Sequence, residues 1–187
     1  GQTVDLSSTL VAPLNARATI QDVVTYETVL TIPEGTHTGV LLTEDFPAEL
    51  SFHAFQSAVF SSGDVTSSNG ISPTVTNSGG RASFDLGTLT NVTNDDSTPE
   101  TLTLVYDVLV LNVSESNLND NLVNDVEVDW NTGGVTQATA DPLLIDEPGL
   151  EIIFENSATG DSGDTASFTV LVSHSQGAIP AYDAEVV

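Results

Sequence analysis

The sequence contains no cysteine, no methionine and no lysine in 187 residues. Without cysteine there are no disulfides, no thiolate zinc sites and no cysteine nucleophiles. A chain without methionine, even at position 1, is expected to be a processed product or an excised fragment. The only cations are Arg17 and Arg81, set against 27 acidic side chains, for a formal charge of −25 at pH 7. Such a chain repels nucleic acid, whose binding needs cations to neutralise phosphates, and is equally unsuited to anionic lipid surfaces. No run approaches the roughly 18 apolar residues of a membrane span, and no basic stretch precedes an apolar one at the start. Any signal peptide or anchor is therefore expected outside these residues. The acidity fits three settings: high-salt or marine surroundings, divalent-cation binding, or a plainly acidic surface. The 16 Asp, 11 Glu and missing lysine favour the first.

What is abundant is β-branched and small. There are 24 Thr, 22 Val and 19 Ser; Thr and Val are stiff at χ1 and suit a pleated, half-buried surface. A hydrophobic content of 39% supplies enough apolar surface for a core. Residues 22–32 and 101–113 read as long strands, with Val, Leu, Tyr and Thr in period two or continuous runs. Shorter strands are expected at 3–11, 38–43, 50–60, 82–89, 122–130, 150–155 and 166–173. Turn signals fall between them, at Pro33-Glu34-Gly35, Ser62-Gly63-Asp64, Asn69-Gly70 and Ser78-Gly79-Gly80. No segment shows a capped 3.6-residue period. The expected fold is all-β, an antiparallel sandwich with helix content close to nil. Its core is assigned to Val24, Tyr26, Val29, Leu86, Leu104, Tyr106, Val108 and Val126.

Residues 1–140 are read as one sandwich and 141–148 as an acidic linker stiffened by Pro142 and Pro148. Beyond it the pattern restarts. Residues 21–32 (QDVVTYETVLTI) match 163–174 (GDTASFTVLVSH) at an offset of 142 residues, long enough for a whole sandwich. Residues 149–187 are accordingly expected to open a second, incomplete repeat.

Several stretches carry a resemblance: 18–26 (ATIQDVVTY), 30–36 (LTIPEGT), 42–52 (LTEDFPAELSF), 84–91 (FDLGTLTN) and 121–130 (NLVNDVEVDW), followed by Gly133-Gly134. In this order they resemble the conserved repeat of bacterial and archaeal cell-surface proteins, catalogued as a domain of unknown function and related to isopeptide-forming fimbrial domains. The resemblance covers residues 15–140, and Ala181-Tyr182-Asp183 resembles a later segment of the next copy. It implies a tandemly repeated immunoglobulin-like domain, extracellular and at the cell surface, whose partners are adjacent repeats or other copies of the same protein. In the isopeptide-forming relatives a lysine is joined to an asparagine beside a carboxylate. With no lysine here, that crosslink cannot form within the chain.

Candidate chemistry is sparse. His37, His53 and His174 show no metal-ligand spacing and read as surface or edge residues. No Gly-x-Ser-x-Gly elbow occurs, and Ser78-Gly79-Gly80-Arg81 precedes a strand rather than a helix, so it reads as a turn and not a phosphate loop. No covalent catalysis is expected. Clustered carboxylates in loops are the ligands calcium takes; the candidates are Asp95, Asp96 and Glu100 in one turn and Asp141, Asp146 and Glu147 in the linker. Neither group matches a twelve-residue calcium loop. Asn91-Val92-Thr93 and Asn112-Val113-Ser114 are sequons, which makes Asn91 and Asn112 candidate glycosylation sites. Trp130 is assigned to packing rather than to a ligand platform. The expected function is a non-catalytic structural repeat of a surface filament, stalk or adhesin. The alternative is a calcium- or carbohydrate-binding module of an adhesin with a cell-surface glycan ligand.

Overall fold

Strict alternation makes two long strands, Val23–Ile32 and Glu100–Val110, and the rest assemble around them. The computed structural model describes residues 3–93, 98–113, 116, 118–131, 134–146, 150–156, 161–163, 165 and 168–174. In chain order the strands begin with β1 (Asp5–Ala12), β2 (Arg17–Ala18), β3 (Val23–Ile32), β4 (Gly35–Asp45) and β5 (Leu50–Phe60). Next come β6 (Val65–Ser67), β7 (Pro73–Thr76), β8 (Arg81–Asn91) and β9 (Glu100–Val110). After them lie β10 (Asn121–Leu122), β11 (Asp125–Trp130), β12 (Gly134–Thr139), β13 (Leu143–Ile145), β14 (Leu150–Asn156) and β15 (Phe168–His174). Strand makes up 66% of the structure and helix 2%, which meets the all-β expectation.

One sheet has the order β1-β3-β9-β5 and the other β12-β11-β4-β8-β6, with β7 also pairing with β8. Their inner faces meet in a single core containing Tyr26, Leu30, Leu104 and Tyr106 from the first sheet and Leu42, Phe84, Leu86 and Val126 from the second. Tyr26 and Tyr106 are directly opposed in the β3–β9 register and stack with ring centres 6.1 Å apart. Phe55 crosses to Phe84 at 5.7 Å.

Two expectations need correction. Val29 is only half-buried, while Thr28 is fully buried. Period two requires it: with Val24 and Tyr26 facing inward, position 28 follows them and position 29 cannot. The second concerns the linker. Leu143–Ile145 is a strand, parallel to β2 and antiparallel to β10, and both Leu143 and Ile145 are fully buried. Leu144 N donates to Ala16 O, Ile145 N to Asp120 O and Asp146 N to Ala18 O, at 2.8–3.0 Å. The Asp146 carboxylate then pairs with Arg17. Residues 143–146 therefore pack into the sandwich rather than leaving it. Glu147, Pro148 and Gly149 lie outside the described residues.

The turn expected at Ser78-Gly79-Gly80 is a 3₁₀ turn over Asn77–Gly79. Gly79 has φ +93°, and a Cβ there would fall 1.9 Å from Ser51 Oγ, so only glycine fits.

Beyond the sandwich, β14 and β15 form a hairpin in register from Leu150↔His174 to Asn156↔Phe168. Ile152, Phe154, Val170 and Val172 share one of its faces through the pairs Ile152↔Val172 and Phe154↔Val170. That face is open: Phe154 is 76% exposed and Ile152 57%.

Candidate functional site

The sandwich buries a polar cluster that the sequence reading did not identify. Glu44, on β4, follows Val40 and Leu42 at two-residue steps and so points inward with them. Its carboxylate is fully buried between the sheets. Thr28 Oγ1, on β3, donates to Glu44 Oε1 at 2.6 Å, and Asn124 Nδ2 donates to Oε2 at 3.0 Å. Thr28 also lies 3.2 Å from Ser8 Oγ and 3.4 Å from the Tyr106 hydroxyl. Asn124 Oδ1 and the Tyr26 hydroxyl are buried without a partner. Burial pushes the Glu44 carboxyl up to about 7, against the hydrogen bonds from Thr28, Tyr106 and Asn124 that favour its ionised form; Asp45 adds to the rise. Tyr106 is raised well above the usual phenol range by burial and by Glu44, and Tyr26 by burial, Asp141 and Glu44. A carboxylate and an asparagine thus meet in the core, in a chain with no lysine to join them. Every member of the cluster is buried, so no solute reaches it. Its chemistry is internal.

A second buried acid lies at the strand ends. Glu100 opens β9 on the inward phase of Leu102, Leu104 and Tyr106. Asn91 Nδ2 donates to Glu100 Oε2 at 3.0 Å and to Ile32 O at 2.8 Å. Asn91 Oδ1 accepts from Thr93 N and Oγ1.

These placements decide several sequence candidates. Asn91 is 2% exposed, and the nitrogen that a sugar would occupy is already donated twice, so the folded domain presents no acceptor there. Asn112 is exposed, but Ser114 of its sequon lies outside the described residues. Glu100 faces the core rather than an open turn, and its proposed companions Asp95 and Asp96 lie outside the described residues, as does Glu147. Asp146 is paired with Arg17, and Asp141 lies near Tyr26. Among the described residues no three His, Asp or Glu side chains gather in a way that could hold a metal ion. Asp45, Asp125 and Glu127 line an open cavity of about 280 Å³ on the outer side of β4, β11 and β12. All three are already engaged: Asp45 takes a two-pronged bond from Arg81, Asp125 accepts from Thr139 and Glu127 from Gln137.

Of the histidines, His53 is exposed on β5. His37 is half-buried, bonded to Pro33 O at 2.9 Å and packed edge-on against Trp130 at 5.1 Å. Trp130 itself is 3% exposed, in the packing role expected of it. The side chain of His174 lies outside the description.

No family model matches the chain, and no curated protein is similar to it in sequence. Solved structures are similar in fold. The 35 kDa C-terminal fragment of the major pilin GBS80 of Streptococcus agalactiae is 8% identical with a TM-score of 0.51, over 83% of this chain and 65% of that one. BcpA, the major pilin subunit of Bacillus cereus, is 11% identical with a TM-score of 0.50, over 91% and 56%. The shared feature is the immunoglobulin-like β-sandwich. This chain spans about half to two thirds of the length of those two pilins. No helix among the described residues is long and apolar enough to cross a membrane.

The charge has a measurable consequence. With both arginines paired to Asp146 and Asp45, the remaining carboxylates repel one another, and salt screens that repulsion. The melting temperature should rise by several degrees between dilute and molar NaCl. A flat response to NaCl together with a sharp rise in millimolar calcium would instead assign the acids to specific ion binding.

Proposed function

We propose that this chain is a non-catalytic structural repeat of an extracellular surface filament, stalk or adhesin, with adjacent repeats or further copies of itself as partners. The observation that carries the reading is the hairpin after the sandwich. β14 and β15 are antiparallel neighbours joined by residues 157–167, as β1 and β3 are joined by residues 13–22. The 142-residue sequence offset lays β15 over β3. This pairing and offset support reading the hairpin as the opening strands of a second sandwich. Only residues 147–149 separate β13 from β14, so tandem units would be held close. The fold likeness to major pilins agrees with this reading. So does the sealed polar cluster, which offers no path for a substrate.

A two-stranded hairpin is marginal alone, and its open Ile152–Phe154–Val170–Val172 face needs cover. Further strands of the same repeat supply that cover in the first version of the proposal. In the second, the hairpin adds to a neighbour's sheet by strand complementation. Sedimentation of residues 1–187 and 1–146 in molar NaCl, with amide exchange over β14 and β15, separates them. A monomer whose β14–β15 amides exchange freely supports the first. Assembly of 1–187 with those amides protected, and a monomeric 1–146, supports the second. A monomeric 1–187 with protected hairpin amides would sink both.

A further inference from the structure

The Glu44 cluster spans the two sheets: Glu44 lies on β4, Thr28 on β3, Ser8 on β1, Tyr106 on β9, and Asn124 in the connection between β10 and β11. The groups facing the carboxyl are neutral donors and the two phenols Tyr106 and Tyr26. The nearby charges are both acidic, Asp45 next in the chain and Asp141 beside Tyr26. Neither arginine answers the carboxyl, since Arg17 is bonded to Asp146 and Arg81 to Asp45. Ionised, Glu44 is a buried anion held only by dipoles.

A proton on Oε1 resolves this. The 2.6 Å separation from Thr28 Oγ1 suits an O–H donated by the acid. Thr28 then turns its own hydroxyl to Ser8 Oγ at 3.2 Å, and Glu44 Oε2 still accepts from Asn124. A single run of bonds, Glu44 to Thr28 to Ser8, then ties β4 of one sheet to β3 and β1 of the other. Losing the proton reverses the Thr28 bond and leaves the charge sealed in the core.

We propose that Glu44 is a proton-operated latch between the two sheets, closed when its carboxyl is protonated and weakened when it ionises. The carboxyl's raised affinity for its proton agrees. The folded carboxyl keeps its proton to about pH 7, whereas the unfolded chain releases it near the ordinary 4.5. Between those values the folded state binds more protons, so stability falls as pH rises and levels off above about 7. The difference corresponds to about 300-fold in the folding equilibrium.

The test is urea unfolding of the full chain between pH 5.5 and 8.5 in 1 M NaCl, for the natural sequence and for Glu44→Gln. Glutamine keeps the shape and donates where the protonated acid donates. The natural chain should lose stability between pH 5.5 and about 7 and level off above that, and the variant should stay nearly level and overtake it by pH 8.5. The two proteins differ at position 44 alone, so the difference between the curves isolates Glu44. Parallel curves, or a level curve for the natural chain, would overturn the latch. Should Glu44→Gln fail to fold, the side-chain carboxyl carbon of Glu44 followed by NMR in the natural chain decides. A midpoint near 7 upholds the proposal and one below 5 ends it.

Discussion

A chain ending after Asp146 should unfold in one cooperative transition, while a chain ending after Ala140 should fail to fold. The six residues between those ends carry Leu143 and Ile145, both fully buried, and the backbone bonds to Ala16, Ala18 and Asp120. Removing them strips β2 and β10 of their shared partner. Replacing a buried Leu or Ile by Ala costs about 2–5 kcal/mol each. Two such losses approach the roughly 5–15 kcal/mol that stabilises a whole domain. The double variant Leu143→Ala/Ile145→Ala in residues 1–146 should accordingly lose about 4–8 kcal/mol. Urea unfolding followed by far-ultraviolet dichroism measures both. A cooperative transition for 1–140 at the same midpoint as 1–146 would return residues 141–146 to the role of linker.

Changing Asn91 to Asp exchanges one NH₂ for an oxygen and should cost about 3–5 kcal/mol at pH 8. The replaced group is the one that donates to Ile32 O and Glu100 Oε2. In the variant an acceptor faces a carbonyl, and two carboxylates meet where Glu100 is buried. The bonds from Thr93 to Oδ1 survive, so the loss belongs to the nitrogen. A proton shared between the two acids would restore a bond. The folded pair therefore has a raised affinity for protons, and the cost should shrink as pH falls from 8 to 5. Denaturation midpoints at the two pH values report this. An Asn91→Asp protein as stable as the parent at pH 8 would mean that Asn91 and Glu100 are not packed as described.

The long strands were legible because β3 and β9 alternate without a break, and alternation is the physical signature of one buried face. The polar residues hidden among them were legible by the same rule, though composition obscured them. Thr28 shares the inward phase of Tyr26 and Leu30, Glu44 that of Val40 and Leu42, and Glu100 that of Leu102 and Leu104. In a chain with 27 acids each carboxylate looks solvated; phase alone distinguishes these two. β13 could not be read this way. Three residues beside a proline and flanked by acids carry no period, and their strand exists only because β2 and β10 leave a slot between them. β12 was missed for the opposite reason, since Gly134–Thr139 is an edge strand with no side chain fully buried and little apolar signal. The burial of Asn91 and Glu100 was not legible from the sequon or the acid cluster, because a motif records neither depth nor partner.

The pairing of the two arginines reaches beyond electrostatics. Digestive enzymes that cut after basic residues have two peptide bonds to choose from in the whole chain, Arg17–Ala18 and Arg81–Ala82. Cleavage requires several residues to be drawn out straight into the enzyme's cleft. Here each arginine lies in a paired strand, is clasped by an aspartate, and is followed by a buried alanine. Folded, the sandwich withholds both bonds from such an enzyme, so resistance to it is a property of the fold rather than of the sequence alone.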